Sequence, residues 1–391
     1  MQNLNIMGTK GSEFLINGAE IDELRINGTT VWTRQENIYD RTIEVTTWAE
    51  LRNAVLGTLA NERIQIIVMN DMATDLPAGV LTVAVDRDIT ITSSGNNTFI
   101  LKRYTLAQRH FTLNGTLRLR NIELQGDYPN NTANHGGISV NADGHLFMEE
   151  GSAVTKNRNN GATLSGGVSV IGGRFTMNGG EIVGNSSFTE TRYDSSLPVP
   201  ANAGMSGGVS ARNGATVVIN NGVISDNEGR FGGGLIINST ADFAVGDTYV
   251  TINGGVFNNN DGSFGGFANV EFGTLEINAG TFFGNRATAF ANAPATTINA
   301  GRGGGALFVQ NGGHVIIGGG TFEGNTSGND GGAIMLTAAT RIDMEGGTIT
   351  QNEAARDGGG VARISTGVFN RTGGAIEENT AGRNGNDVFP V

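Results

Sequence analysis

Paired carboxylates are the first chemistry to weigh in this chain, because two acids held across a sugar can hydrolyse a glycosidic bond. Glu276 and Asp343 hold the same place in two copies of a repeated segment, with one copy between them. Stacked copies at the pitch of neighbouring strands would set them about 10 Å apart, near the separation at which an inverting glycosidase leaves room for a water. Asp343 and Glu345 also share a face by alternation. On an acidic chain, solvent-facing acids are the commoner outcome. Glu276 and Asp343 therefore stand as weak catalytic candidates, and the expectation is a protein without catalytic activity.

Other chemistry is less supported. Asp261, Asp330 and Asp357 lie in Gly-rich turns and could stack, but they lack the Gly-Gly-x-Gly-x-Asp spacing of calcium-binding repeats. The four His residues are scattered, and Cys is absent, which excludes thiolate metal sites and disulfide frameworks. No phosphate loop is present. No metal and no cofactor is expected. The net charge of -12 repels phosphate backbones, so nucleic acid is not expected as a partner. No apolar stretch approaches transmembrane length, so membrane insertion is not expected.

The elements that would position these residues come from the repeat. Gly pairs open a unit at Gly136, Gly166, Gly207, Gly233, Gly265, Gly304, Gly331 and Gly359. Each unit closes on an Asn, at Asn157, Asn185, Asn227, Asn260, Asn285, Asn325, Asn352 and Asn379. A large apolar residue stands three places before each Asn, from Val154 to Ile376, with Phe257, Phe282 and Phe322 in consecutive units. One unit holds three strand-length runs divided by turns. It cannot bury its own apolar side, whereas stacked units can. The apolar column is expected inside. Asn185, Asn227, Asn260, Asn285, Asn325 and Asn352 are expected to form an amide ladder, each Asn also accepting the left-handed turn geometry. The aromatic column is expected to matter more to stability than the Asn row. The 62 Gly residues show no Gly-X-Y period, so collagen is excluded.

Residues 1–36 read differently. Asn17-Gly18 and Asn27-Gly28 each divide two short alternating runs, the strongest local hairpin signal. Two such hairpins are too small to stand alone. After Thr42–Val45, Thr47 reads as an N-cap with Glu50 at the capping-box position, and Trp48, Leu51, Val55 and Leu56 share a face. Short strands follow.

A strand, one amphipathic helix and then short strands resembles the beginning of right-handed parallel β-helices of the pectate-lyase-like type, where the helix plugs the open end. The Gly-Gly-Ala and Phe-x-x-Asn signatures (Gly305-Ala306, Gly332-Ala333, Phe282 to Asn285, Phe322 to Asn325) resemble polymorphic outer-membrane protein repeats. The chain departs from that family in showing neither a C-terminal membrane barrel nor a secretion signal. The tandem hairpins resemble short N-terminal modules on structural and fibre proteins of tailed phages. These resemblances imply an all-β fold, a right-handed parallel β-helix solenoid of roughly eleven coils. Residues 1–36 would be an attachment module, 42–126 the capping helix and irregular first coils, and 127–391 the regular repeats.

Two units carry long insertions between the closing Asn and the next Gly pair, at residues 186–206 and 286–303. Both would leave the same corner, three coils apart. Phe188, Tyr193 and Phe290 offer stacking faces, and Arg192, Arg286 and Arg302 add positive charge. These six are the candidate binding residues. The functional expectation is a non-enzymatic structural or receptor-binding spike or fibre protein of a phage-like particle, recognising a cell-surface glycan. The alternatives are a polysaccharide-degrading tailspike, by lyase or glycosidase chemistry, and a bacterial surface adhesin. Expected partners are other particle proteins through residues 1–36, a cell-surface polysaccharide, and further copies of the chain, as a trimer. The opening MQNLNIMGTKGSEF lacks a signal-peptide pattern, so the expected location is a virion or extracellular particle reached by assembly or lysis.

Overall fold

The computed structural model describes residues 39–74, 79–103, 108–130, 136–159, 164–187, 205–238, 248–288, 303–364 and 366–390, with five short strands within residues 1–38. The chain winds as a parallel β-helix. Three long parallel sheets run its length. The first has 12 strands, from Arg41–Val45 to Val368–Arg371. The second has 11, from Met72–Thr74 to Ala375–Glu377, and the third has 11, from Leu81–Val83 to Val388–Phe389. Each strand pairs in parallel with its counterpart one coil on, as Leu307–Gln310 does with Ile334–Leu336. Eleven coils at ~4.8 Å give a rod on the order of 50 Å long.

Alternation decides what faces inward. In Arg341–Met344, Ile342 and Met344 are buried while Arg341 is exposed. The inward columns merge into one apolar core along the axis. The column Val154, Ile182, Ile224, Phe257, Phe282, Phe322, Ile349 is in register and fully buried. Phe282 and Phe322 stack at 4.5 Å between centroids and 7° between planes.

A fourth parallel sheet, absent from the sequence reading, lies between the second and third. It has 6 strands, from Glu228–Phe231 to Thr380–Ala381. It explains why third-sheet strands are buried on both faces. Phe308 alternates with Leu307 and Val309, yet all three are buried. Phe264 of the fourth sheet packs edge-on against Phe308 at 5.4 Å.

The Asn ladder lies inside this wall. Asn285 Nδ2 donates to Asn325 Oδ1 at 3.0 Å and to the Phe257 carbonyl at 2.8 Å, and its backbone N–H donates to the same Oδ1 at 3.0 Å. The same set of bonds recurs at Asn185, Asn227, Asn260 and Asn325. One detail differs from the sequence expectation. The left-handed residue is the one before each Asn: Lys156, Asp226, Asn259, Gln351 and Glu378, with Gly184, Gly284 and Gly324 in the same place. The Asn is kept for its amide and not for its φ.

Both ends of the ladder are closed by other groups. Gly137 N–H donates to Asn157 Oδ1 at 2.9 Å and to His110 Nδ1 at 3.0 Å. His110 Nε2 faces the Leu101 carbonyl at 3.0 Å, so the geometry assigns the neutral Nε2–H tautomer. At the far end Asp387 Oδ1 takes the Asn379 amide and backbone N–H, at 3.0 and 3.2 Å. At the N-terminal end, helix Trp48–Leu56 packs on Arg41–Val45 and Leu81–Val83. Thr47 and Glu50 form the capping box, at 3.1 and 3.2 Å. Trp48, Leu51, Ala54 and Val55 are buried, whereas Leu56, at the last helical position, is 47% exposed. In the N-terminal segment Leu15–Ile16 pairs antiparallel with Ala19–Glu20, and Glu23–Ile26 with Thr29–Thr33.

Asn325→Ala removes both donors and the doubly used acceptor of one rung. At about 1–3 kcal/mol for each buried group left unpaired, it should destabilise at least as much as Phe322→Ala, at about 3–5 kcal/mol. This reverses the order expected from sequence. Thermal and denaturant unfolding of the two variants checks it, and a nearly wild-type Asn325→Ala would contradict it.

Candidate functional site

The acidic pair sits on the outer face of the first sheet. Glu276 is register partner of Ile316, and Ile316 of Asp343, so the two acids are two coils apart in one column. Both carboxylates are already hydrogen-bonded. Glu276 accepts a 2.5 Å hydrogen bond from the Tyr249 hydroxyl. That bond, with burial and the Glu276 charge, pushes the phenol up to about 12. Asp343 accepts from Arg341 Nε at 2.5 Å and Asn370 Nδ2 at 3.0 Å, and lies 2.8 Å from His314 Nε2. The Arg341 hydrogen bond leads in holding the Asp343 carboxyl well below the usual carboxylate range. A general acid for glycoside hydrolysis needs the opposite shift, so that it arrives protonated. Asp343 is built as a fixed anion.

The three turn aspartates divide. Asp330 and Asp357 meet, Asp357 N–H donating to Asp330 Oδ1 at 3.1 Å, while Arg356 and Arg383 neutralise them. Asp261 stands in another column, beside Glu228 and Arg286. Among the described residues, no group of three or more His, Cys, Asp or Glu is placed to hold a metal ion.

The edge formed by the fourth sheet is where the insertions are rooted. Arg158, Ser186, Glu228, Asp261 and Arg286 occupy consecutive coils along it. Ser186 and Arg286 are therefore three coils apart, about 14 Å. The first root is tied by Ser187 Oγ to the Met205 carbonyl at 2.8 Å. The second is tied by Thr288 Oγ1 to Asp261 Oδ1 at 2.7 Å. Of the six candidate binding residues, Arg286 is exposed at this root and pairs with Asp261 at 2.7 Å. Phe188, Arg192, Tyr193, Phe290 and Arg302 lie outside the described residues. Tyr128 reaches along the same edge to hydrogen-bond Glu228, which also accepts from Ser186 Oγ at 3.2 Å. Burial and that carboxylate push the phenol up. Below Arg286 a groove of about 340 Å³ continues past Thr326 and Ser327 to Glu353.

Two features escaped the sequence reading. Arg109 is buried, donating to the carbonyls of Ser165 at 2.8 Å, Gly167 at 2.9 Å and Ile138 at 2.5 Å, and burial pushes its guanidinium down to about 9. A second Asn ladder stands on the exposed corner between the first and second sheets. Asn220 donates to Asn178 at 2.8 Å, Asn253 to Asn220 at 2.9 Å and Asn278 to Asn253 at 3.0 Å, and Asn178 donates to Glu149. Its signal was the recurring Met-Asn-Gly or Ile-Asn at this corner, which reads equally well as turn punctuation.

Two outcomes follow from these contacts. The Asp343 carboxyl is lowered in the folded chain, so its contribution is present above the unfolded value and lost as pH falls through the folded one. The melting difference between wild type and Asp343→Asn should be constant at neutral pH and shrink below about pH 4; a difference that grows on acidification would contradict it. Gly318 follows Asn278 in the exposed column, and a Cβ there meets Asn278 Oδ1 at an ordinary 3.4 Å. Gly318→Asn should extend the ladder and stabilise by about 0.5–1 kcal/mol, read as a raised melting temperature. No family model, curated protein or solved structure matches the chain, so its function rests on these surfaces.

Proposed function

We propose that this chain is a non-enzymatic receptor-binding spike or fibre protein of a phage-like particle, which recognises a cell-surface glycan at its fourth-sheet edge. The observation that carries the reading is the register of Ser186, Glu228, Asp261 and Arg286, which roots both long insertions on one edge about 14 Å apart. Variable segments on a rigid scaffold are the usual arrangement for recognition. Phe188, Arg192, Tyr193, Phe290 and Arg302 belong to those insertions, and Arg286 stands at a root. The resemblance of residues 1–36 to phage attachment modules supports the particle, as does their organisation as antiparallel pairs. The pectate-lyase-like resemblance extends to architecture, and the engaged state of Glu276 and Asp343 argues against glycosidase chemistry between them.

Replacing each insertion with the short turn Thr326–Asp330 tests the reading. The shortened protein should remain folded, by circular dichroism and melting, and should lose binding to bacterial cells that the full chain binds. Undiminished cell binding would remove the insertions from recognition. Release of oligosaccharides from those cells, abolished by Glu276→Gln or Asp343→Asn, would favour the degrading tailspike instead.

A further inference from the structure

The N-terminal end of the rod carries apolar side chains outside the core. Leu56 at the end of the helix, Leu59 in the next turn and Val85 between strands Leu81–Val83 and Asp88–Ser93 are all exposed, Leu59 at 69%. Arg87 brings them together. Its Nε donates to the Thr58 carbonyl at 2.5 Å and its Nη1 to the Val85 carbonyl at 3.2 Å, while Asn61 N–H donates to the Asp86 carbonyl at 2.5 Å. A groove of about 550 Å³ leads from Val85 and Arg87 to Asn61 and Arg63. The chain enters the rod at this groove. Asp40 and Arg63 exchange hydrogen bonds at 2.7 and 2.8 Å, and the Arg63 guanidinium lies 6.0 Å from the Tyr39 ring centroid. Arg41 ties the entry to the helix end, pairing at 3.0 Å with Glu62, which also accepts from Leu59 N–H at 2.7 Å.

Adjoining exposed apolar side chains mark a contact surface, and connectivity names its occupant. Residues 34–38 are all that separates strand Thr29–Thr33 from Tyr39. Fully extended, those five residues span about 17 Å; the helix Trp48–Leu56 is about 14 Å long. Residues 1–33 are therefore held at this end of the rod. A tether that short gives an effective concentration on the order of millimolar. The segment also has apolar residues to place. Leu24 and Trp32 are register partners, and Phe14, Leu15, Ile26 and Val31 stand in the same segment. Two small antiparallel sheets need packing against another element to be stable. The charges agree: Arg52 stands one turn before Leu56 on the exposed flank of the helix, and Glu20, Asp22 and Glu23 cluster in residues 1–36.

We propose that residues 1–36 fold back onto their own rod, the hairpin Glu23–Thr33 packing over Leu56, Leu59 and Val85 as a second layer of the N-terminal cap. This docking is independent of the glycan reading, and it leaves the remaining surface of the module to meet a particle. The chain has no Cys, so cysteines can be placed at will. The full chain carrying Thr30→Cys and Ala60→Cys is treated with a short bismaleimide. Ala60 is exposed beside Leu59, so the apolar contacts stay in place. The two cysteines should be joined within one chain, read as a faster-migrating species of monomer mass. Adding Leu59→Asp with Val85→Asp should slow the joining about tenfold or more, because docking would then bury two unpaired carboxylates. Melting should be unchanged, since both side chains are exposed on the rod itself. Thr30→Cys with Thr42→Cys, also exposed and close to Tyr39, should react more slowly than the Ala60 pair. No cross-link between Thr30→Cys and Ala60→Cys, equal reaction of the Thr42 pair, or a rate indifferent to the two aspartates would overturn the docking. Cross-links that join a tagged to an untagged copy would overturn it as well, by making the occupant a second chain.

Discussion

The buried amide of the closing Asn is the contact on which the regularity of this solenoid depends. Its two N–H groups and its oxygen have fixed partners above and below: one amide oxygen, one carbonyl, one backbone N–H and one amide N–H. A buried amide with one partner missing would be costly, whereas a complete row is mutually reinforcing. The row therefore fixes the angular phase of every coil. Once phase is fixed, the residue three places earlier must point inward, and the apolar column can be filled by Val, Ile or Phe without shifting the strands. Closure by His110 and Gly137 at one end and by Asp387 at the other leaves neither terminal rung open.

A solenoid of three sheets would show three bare outer faces, but in this one the third is covered. The fourth sheet covers the third, which is why Phe308 and Met335 are buried although they alternate outward. The first sheet is open but electrostatically self-sufficient. Asp88 pairs with Arg63 and Arg118, Arg118 lies 3.9 Å over the Phe147 ring, and Asp343 gathers Arg341, His314 and Asn370. His145, stacked on Phe147, is pushed down to about 4 by burial and then by Arg174 and Arg118, so it stays neutral under ordinary conditions.

The repeat made the register readable, because Gly pair, apolar residue and Asn recur together and strand stacking turns recurrence into contact. Glu276, Ile316 and Asp343 could be aligned from sequence alone. Their chemical state could not, since Tyr249 and His314 reach them from a neighbouring column. The fourth sheet was hidden because strands such as Arg286–Ala287 and Thr326–Ser327 are two residues long and carry no alternation to detect. The exposed Asn ladder was hidden for the opposite reason: Asn beside Gly is so common at turns that a row of them looks like punctuation. Leu56 was misplaced because the helix ends there, before its face can be covered.

The place proposed for recognition also agrees with how such a rod tolerates change. A substitution on a sheet face meets neighbours above and below in the same column, and on the first sheet those neighbours are already in ion pairs. A residue added inside a strand would break the phase set by the Asn row. The passage from the closing Asn to the next Gly pair is different, because both ends are fixed: Ser187 is tied to Met205 at the first insertion, and at the second Thr288 is tied to Asp261 and Gly303 is bridged to Phe264. Chain of any length can be added there at a closure cost that rises slowly with length. The coils on either side keep their phase, and the fourth-sheet column beneath runs on without a break from Glu228 through Asp261 to Arg286. The place where this fold can vary without losing its ladder is thus the place where both long insertions leave it.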